Sequence, residues 1–150
     1  MKALVVYDSV YGNTERIAQA IGGALGKPGE VKVLRPGEVG QADLKAIDLL
    51  VVGTPVQGGR ATKAVRDWLG GIPAGGLKNV NVATFDTRMK HFVAKLLGYA
   101  GDRLARSLKD KGGKLVAPPE GFIVMGREGP LAEGEIERAA AWARGLAKGA

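Results

Sequence analysis

The sequence predicts a three-layer α/β/α sandwich around a five-stranded parallel sheet in the order 2-1-3-4-5. Three observations carry this. Short apolar runs alternate with helix-period patterns from end to end. The strongest runs are apolar throughout rather than alternating, as in strands covered on both faces. Parallel neighbours need crossovers, and right-handed crossovers leave few topologies for five strands and five or fewer helices.

The elements follow in order. Lys2–Tyr7 is a nearly continuous apolar run and reads as the first strand. From Asn13 to Leu25 the period becomes helical, with Ile17, Ile21 and Leu25 each one turn apart. Lys27-Pro28-Gly29 ends that helix, because proline cannot continue it. Val31–Leu34 is a second short strand closed by Pro36-Gly37, and Ile47–Val52 is the most apolar strand. Ala61–Leu69 places Val65, Trp68 and Leu69 on one helical face, and Val80–Phe85 reads as the fourth strand. A helix lies between Lys90 and Lys111 with Leu97, Leu104 and Leu108 inward, its start blurred by Gly98 and Gly101. Lys114–Val116 and Phe122–Val124 flank Pro118-Pro119 and together supply the last strand region. Glu133–Lys148 closes the chain as a helix, acidic at its start and basic at its end, as the helix dipole favours. Trp68 and Trp142 fall on helices and read as packing residues.

Composition limits the chemistry. The 150 residues suit one domain, 1–150, with one core. The apolar runs are too short to span a bilayer, and the N-terminus lacks the pattern of a signal peptide, so the expectation is cytoplasmic with no membrane partner. The absence of cysteine excludes disulfides, thiolate metal sites and a cysteine nucleophile, and His91 is the single histidine. The net charge of +7 is spread from Lys2 to Lys148 without a basic block or interleaved aromatics, which argues against a specific nucleic-acid role.

Ligands of such sheets bind beyond the carboxyl ends of the strands, near the point where strand order reverses. Three stretches lie there. The first, Asp8-Ser9-Val10-Tyr11-Gly12-Asn13-Thr14, opens into a helix whose free N–H groups and positive dipole end suit a phosphate. The same residues also serve if Asn13 or Thr14 simply caps the helix. The stretch matches neither the nucleoside-triphosphate nor the dinucleotide glycine pattern. The second, Gly53-Thr54-Pro55-Val56-Gln57-Gly58-Gly59-Arg60, reads either as a wide turn or as a surface shaped for a flat ligand. The third, Thr84-Phe85-Asp86-Thr87-Arg88-Met89-Lys90, sets an aromatic, an acid, a hydroxyl and a base at a strand end, with Phe85 equally suited to the core.

Together these stretches resemble the flavodoxin family, and its short-chain branch in length. Val5 to Glu15 is similar to the family's phosphate-binding motif, with Ser-x-Tyr-Gly-Asn-Thr at Ser9–Thr14. Gly53–Gly59 and Thr84–Arg88 stand in the places of its two isoalloxazine loops, and Gly121–Val124 and Glu128–Leu131 resemble its tail.

The resemblance implies non-covalent flavin mononucleotide (FMN) and electron transfer. The phosphate would be held by the side chains of Ser9, Tyr11, Asn13 and Thr14 and the backbone from Val10 through Gly12 to Thr14. The ring would lie between Thr54, Pro55, Val56, Gln57, Gly58 and Gly59 on one side and Phe85, Asp86, Thr87 and Arg88 on the other. The Gly58 carbonyl would accept a hydrogen bond from reduced N5.

Departures from the family's pattern are visible. Tyr11 stands where many members carry Thr, and Ser-x-Tyr-Gly is also similar to relatives that are quinone reductases. Neither ring loop holds Trp or Tyr, and the chain is basic where flavodoxins are usually acidic. Arg60, Arg88 and Lys90 are expected near the ring as cations that raise its second reduction potential, and the redox partner is expected to present an acidic docking face. A receiver domain would need an acid where Gly53-Thr54 stand, and a low-molecular-weight phosphatase or arsenate reductase a cysteine in the first loop. The competing functions are an FMN-dependent oxidoreductase, with Phe92–Leu97 forming a pocket over the ring, and a flavin-free interaction module. With no general-base constellation, the carrier is the favoured reading.

Overall fold

A computed structural model describes residues 1–90 and 99–149. Its sheet follows the expected path. β1 (Ala3–Tyr7) lies between β2 (Val31–Leu34) and β3 (Leu49–Pro55), and β4 (Asn81–Met89) pairs with β3, all parallel. On its other side β4 pairs first with β5 (Lys114–Leu115) and then with β6 (Glu120–Val124). These two short strands are the halves of the expected fifth strand. Four residues, 116–119, separate them, whereas only Ala83 and Thr84 separate their partners on β4. Pro118 and Pro119 have no N–H for the ladder, so the strand breaks at the prolines.

Alternate residues of the buried strands face two separate cores. Val5, Tyr7, Leu49, Val51 and Phe85 look toward α1 (Asn13–Leu25) and α4 (Glu135–Gly149). Leu4, Val6, Leu50, Val52 and Val82 look toward α2 (Lys63–Gly70) and α3 (Ala100–Asp110). This explains the uninterrupted apolar runs: both faces of β1 and β3 are covered. Ile17, Ile21 and Leu25 are buried as their spacing predicts, and so are Leu104 and Leu108. Leu97, His91 and the Phe92–Leu97 stretch lie outside the described residues. Trp142 packs edge-on against Phe85 and Phe122, with centroids 6.3 and 6.0 Å away, and Trp68 packs on the second core.

The fourth strand runs four residues beyond its predicted end at Phe85. Residues Asp86 to Met89 read as loop because they are polar, yet they pair with Gly121–Val124 along β6, and Asp86 and Thr87 pair with Thr54 and Pro55 on β3. Pairing on two sides overrides local polarity.

The outer edge of β6 is closed by α4. Ile123 donates its N–H to Glu135 Oε2 at 2.7 Å and accepts from Ala132 N–H at 2.8 Å. Arg138 donates to the Gly121 carbonyl and to both Glu135 oxygens, and its guanidinium lies over the Phe122 ring at 4.5 Å. The Arg138 hydrogen bonds hold the Glu135 carboxyl below its ordinary value, against the opposing effect of burial.

Candidate functional site

The carboxyl ends of β1, β3, β4 and β6 converge on a cavity of about 540 Å³, within the size range of small-molecule and cofactor sites. Its wall takes Ser9, Val10, Tyr11, Asn13 and Thr14 from the first stretch, Pro55, Val56, Gln57 and Gly58 from the second, and Thr87 and Arg88 from the third. The sequence-predicted stretches are therefore brought together.

The first stretch forms the mouth of α1. Gly12 sits at the N-cap with φ +92°, a left-handed conformation that glycine adopts without strain. Neither Asn13 nor Thr14 caps the helix. Ser9 Oγ takes that role, accepting from Gly12 N–H at 3.1 Å and Glu15 N–H at 3.3 Å. The backbone N–H groups of Val10, Tyr11, Asn13 and Thr14 have no hydrogen-bond partner among the described residues. Asn13 instead donates through Nδ2 to the Glu128 carbonyl at 3.1 Å, tying the mouth to the loop after β6. Thr14 is buried, and its Oγ1 lies 2.7 Å from Thr87 Oγ1, which joins the first and third stretches.

Behind the mouth stands a brace that the sequence reading missed. Arg35 donates to Asp8 Oδ1 and the Ser9 carbonyl at 3.2 Å each, and to Glu15 Oε2 at 3.2 Å. Its guanidinium sits 5.2 Å from the Tyr7 ring centroid, and Tyr7 Oη donates to Glu15 Oε2 at 3.1 Å. Burial, with the Glu15 carboxylate close by, pushes the Tyr7 phenol up. Arg35 thus ties back both carboxylates and offsets one of their two charges beside the positive dipole end of α1.

Thr54 shapes the second stretch from below: its buried hydroxyl accepts from Thr62 N–H at 3.1 Å and donates to the Pro55 carbonyl at 3.0 Å. Val56 N–H donates to the Thr87 carbonyl at 3.0 Å, which fixes the loop to β4. Gln57 and Arg60 exchange two backbone hydrogen bonds of 2.9 and 3.0 Å around Gly58 and Gly59, both at positive φ, as a type I′ turn requires. Gly12, Thr54 and Gly59 support the wall without lining it.

The third stretch differs from the expectation in two respects. Phe85 is fully buried in the core, its ring 6.0 Å from that of Phe122, and does not face the cavity. Asp86 is fully buried too, on the other face of β4. Its carboxylate accepts from Arg88 Nε at 2.6 Å, from Arg88 Nη2 at 2.9 Å and from Gly101 N–H at 2.8 Å. Burial pushes the Asp86 carboxyl up, against the opposing pull of Arg88. The Arg88 guanidinium lies 3.3 Å from the Tyr99 ring centroid, and a Cβ at Gly121 would overlap it. Arg88 therefore meets the cavity as one half of a balanced ion pair, not as the uncompensated cation expected. Arg60 lines a different cleft, and Lys90 lies outside the cavity wall.

Met89, from the third stretch, Val124, from the Gly121–Val124 stretch, and Arg127 also line the wall, and none of the three is among the expected FMN-binding residues. Arg127 stands one residue before the Glu128–Leu131 stretch already singled out, so extending that stretch backwards would have found it. Among the described residues no group of acids and histidines is arranged to hold a metal, and no helix is long and apolar enough to cross a membrane. What the arrangement offers is an anion seat of unpartnered amides beside a slot of apolar and backbone surface. A phosphate monoester joined to a flat ring fits both halves.

A family model described as Flavodoxin domain matches residues 4–108, more than half of the chain. Among solved structures, the fold is similar to oxidised Flavodoxin 1 from Bacillus cereus, at 19% identity and a TM-score of 0.79, covering 99% of this chain and 98% of that one. It is similar to a flavodoxin from the domain Archaea at 20% identity and a TM-score of 0.75, covering 99% and 97%. It also resembles part of rubredoxin oxygen:oxidoreductase from Desulfovibrio gigas at 20% identity and a TM-score of 0.77, covering 98% of this chain and 35% of that one. No curated protein sequence matches it.

Proposed function

This chain belongs to the flavodoxin family, and from that footing we propose that it holds FMN in the cavity at the mouth of α1 and passes electrons through it. The observation that carries the reading is the set of unpartnered N–H groups at Val10, Tyr11, Asn13 and Thr14, all residues that line the cavity. In that reading Ser9, Tyr11, Asn13 and Thr14, with the backbone from Val10 through Gly12, seat the phosphate. Arg127 adds a cation at the rim, and Arg35, bridging Asp8 and Glu15, offsets one of their two negative charges and so reduces the repulsion a dianion meets.

Pro55, Val56, Gln57 and Gly58 form one side of the ring site, with Thr54 and Gly59 holding that loop in shape. Thr87 and Arg88 form the other, with Phe85 and Asp86 supporting them from within. In this reading Arg88, stacked on Tyr99 and paired with Asp86, flanks the ring with little net charge. When bound, the flavin supplies one- and two-electron chemistry itself. The protein's part is to bind, orient and shield; in this reading the Gly58 carbonyl accepts from the ring nitrogen that gains a proton, at a φ of +56° that glycine adopts without strain. Flavodoxins exchange electrons with redox partners, and the +7 charge supports a partner with an acidic docking face.

An anaerobic titration with FMN followed by stepwise reduction tests the reading. One equivalent bound tightly and reduced reversibly is the expected result. A protein that stays colourless would leave only the flavin-free interaction module. Steady turnover of reduced nicotinamide and a quinone without a separate reductase would favour the oxidoreductase instead.

A further inference from the structure

A second concavity, of about 390 Å³, lies between α2 and α3 on the sheet face opposite α1 and α4. Among the described residues four cations line it, Arg60, Arg66, Arg103 and Lys111, and no acid does. Its floor includes the buried side chains of Leu69 and Leu104. Two of the cations are held by neutral groups that leave their charge intact. Arg66 Nε donates to the Ala61 carbonyl at 3.2 Å, and Lys111 Nζ donates to the Ile72 carbonyl at 2.7 Å. Holding like charges around one concavity is unfavourable in isolation and becomes favourable when an anion shares the space.

The cleft is joined to the FMN cavity by a single turn. Gln57 and Gly58 line the cavity, Arg60 lines the cleft, and the two backbone hydrogen bonds between Gln57 and Arg60 make the turn a common wall. A protein seated in the cleft therefore abuts the loop assigned to the ring. We infer that this α2–α3 cleft is where the redox partner docks, receiving an acidic surface segment of that protein. The inference rests on the electron-carrier reading and adds a location to it. The charge of the cleft and its place against the ring loop select a carboxylate-bearing protein face over an apolar one.

The experiment uses the FMN-loaded protein and a reduced plant-type [2Fe–2S] ferredoxin of net negative charge as the probe. One electron leaves the iron–sulfur cluster, which is oxidised, and enters the flavin, which is reduced. Arg60→Glu/Arg66→Glu reverses two charges in the cleft. Arg144→Glu/Lys148→Glu makes the same change in net charge on α4, across the sheet. At low ionic strength the cleft variant is expected to slow the transfer at least tenfold and the α4 variant less than threefold, with the difference vanishing at high salt. Equal slowing in both variants, or none in the cleft variant, overturns the inference. A synthetic peptide of eight glutamates, titrated into the isotope-labelled wild-type protein, gives a readout independent of flavin. Saturable shifts at the amides of Arg60, Arg66, Leu69 and Leu104 support the site, and shifts elsewhere or none refute it. A protein that takes up no FMN defeats the electron-carrier reading alone, and the peptide titration still decides the cleft.

Discussion

The mouth of α1 and the end of β4 meet at one hydrogen bond, between Thr14 and Thr87, yet they are built on opposite plans. At the mouth, backbone donors are left open and the nearby carboxylates are tied back by Arg35. At the strand end, Asp86 has three partners and Arg88 is pinned between a carboxylate, an aromatic ring and a glycine. One half keeps free donors, and the other cancels its charges within a buried ion pair. A single cavity therefore joins an end with open hydrogen-bond donors to an end whose polar groups are already satisfied.

The contrast is broken most severely by Arg88→Ala, which strands the buried Asp86 carboxylate. Removing one partner of a buried pair costs about 3–5 kcal/mol, and urea denaturation at neutral pH is expected to show a loss of that order. Burial raises the folded carboxyl above its ordinary 3.8, so the folded state binds the proton more readily than the unfolded state. The variant's stability is therefore expected to fall as pH rises above that ordinary value, and the deficit to shrink in acid. A deficit independent of pH would mean that the buried charge is not its cause.

At the open end, Val10→Asp places a carboxylate on the exposed rim without disturbing a packed side chain. Against a dianion about 5 Å away at an effective dielectric of about 40, repulsion amounts to roughly 3 kcal/mol, so FMN affinity is expected to drop on the order of 100-fold at low salt. Flavin titration measures this, with unliganded melting as the control. Thr14→Val removes the bond that joins the two halves and leaves the Thr87 hydroxyl buried without its partner, a cost of about 1–3 kcal/mol. Thr14→Val/Thr87→Val should be less destabilised than the two single variants added together, which a double-mutant cycle reads directly.

The smallest effect sharpens the claim of balanced charge. Asp86→Asn leaves Arg88 uncompensated, and one charge about 8 Å from the ring at an effective dielectric of about 40 raises the potential by roughly 40 mV. Asp86→Ala/Arg88→Ala removes both charges and should leave the potential near that of the wild type. An unchanged potential in Asp86→Asn would mean that Arg88 does not act on the ring electrostatically.

The same contrast governs what could be read in advance. The mouth of α1 is local: an apolar strand, a short polar turn with a glycine and a helix follow one another within 25 residues, so the arrangement was visible in the chain order. The end of β4 is not local. Asp86-Thr87-Arg88 looks like a loop until β3 and β6 flank it, and its polar groups find partners at Thr14 and Gly101. Phe85 was legible as either core or site, and the aromatic cluster with Phe122 and Trp142 decides for the core. Arg35 left no trace because its partners Asp8 and Glu15 lie more than one element away in the chain. The break in the last strand was signalled by Pro118-Pro119, since a missing N–H is a property of the residue itself.

The closure of β6 by α4 has a consequence for the molecule in a crowded solution. A strand at the margin of a sheet is a template on which a second polypeptide can add itself, and the growth of fibrils begins in this way. Here the Ile123 N–H is already held by Glu135, the Ile123 carbonyl by Ala132 and the Gly121 carbonyl by Arg138. The neighbouring β5 has only two residues before the prolines, and β2 at the far margin has only four, with a lysine among them. The margins are thus short or already occupied, which leaves a stranger few free groups on which to extend the sheet.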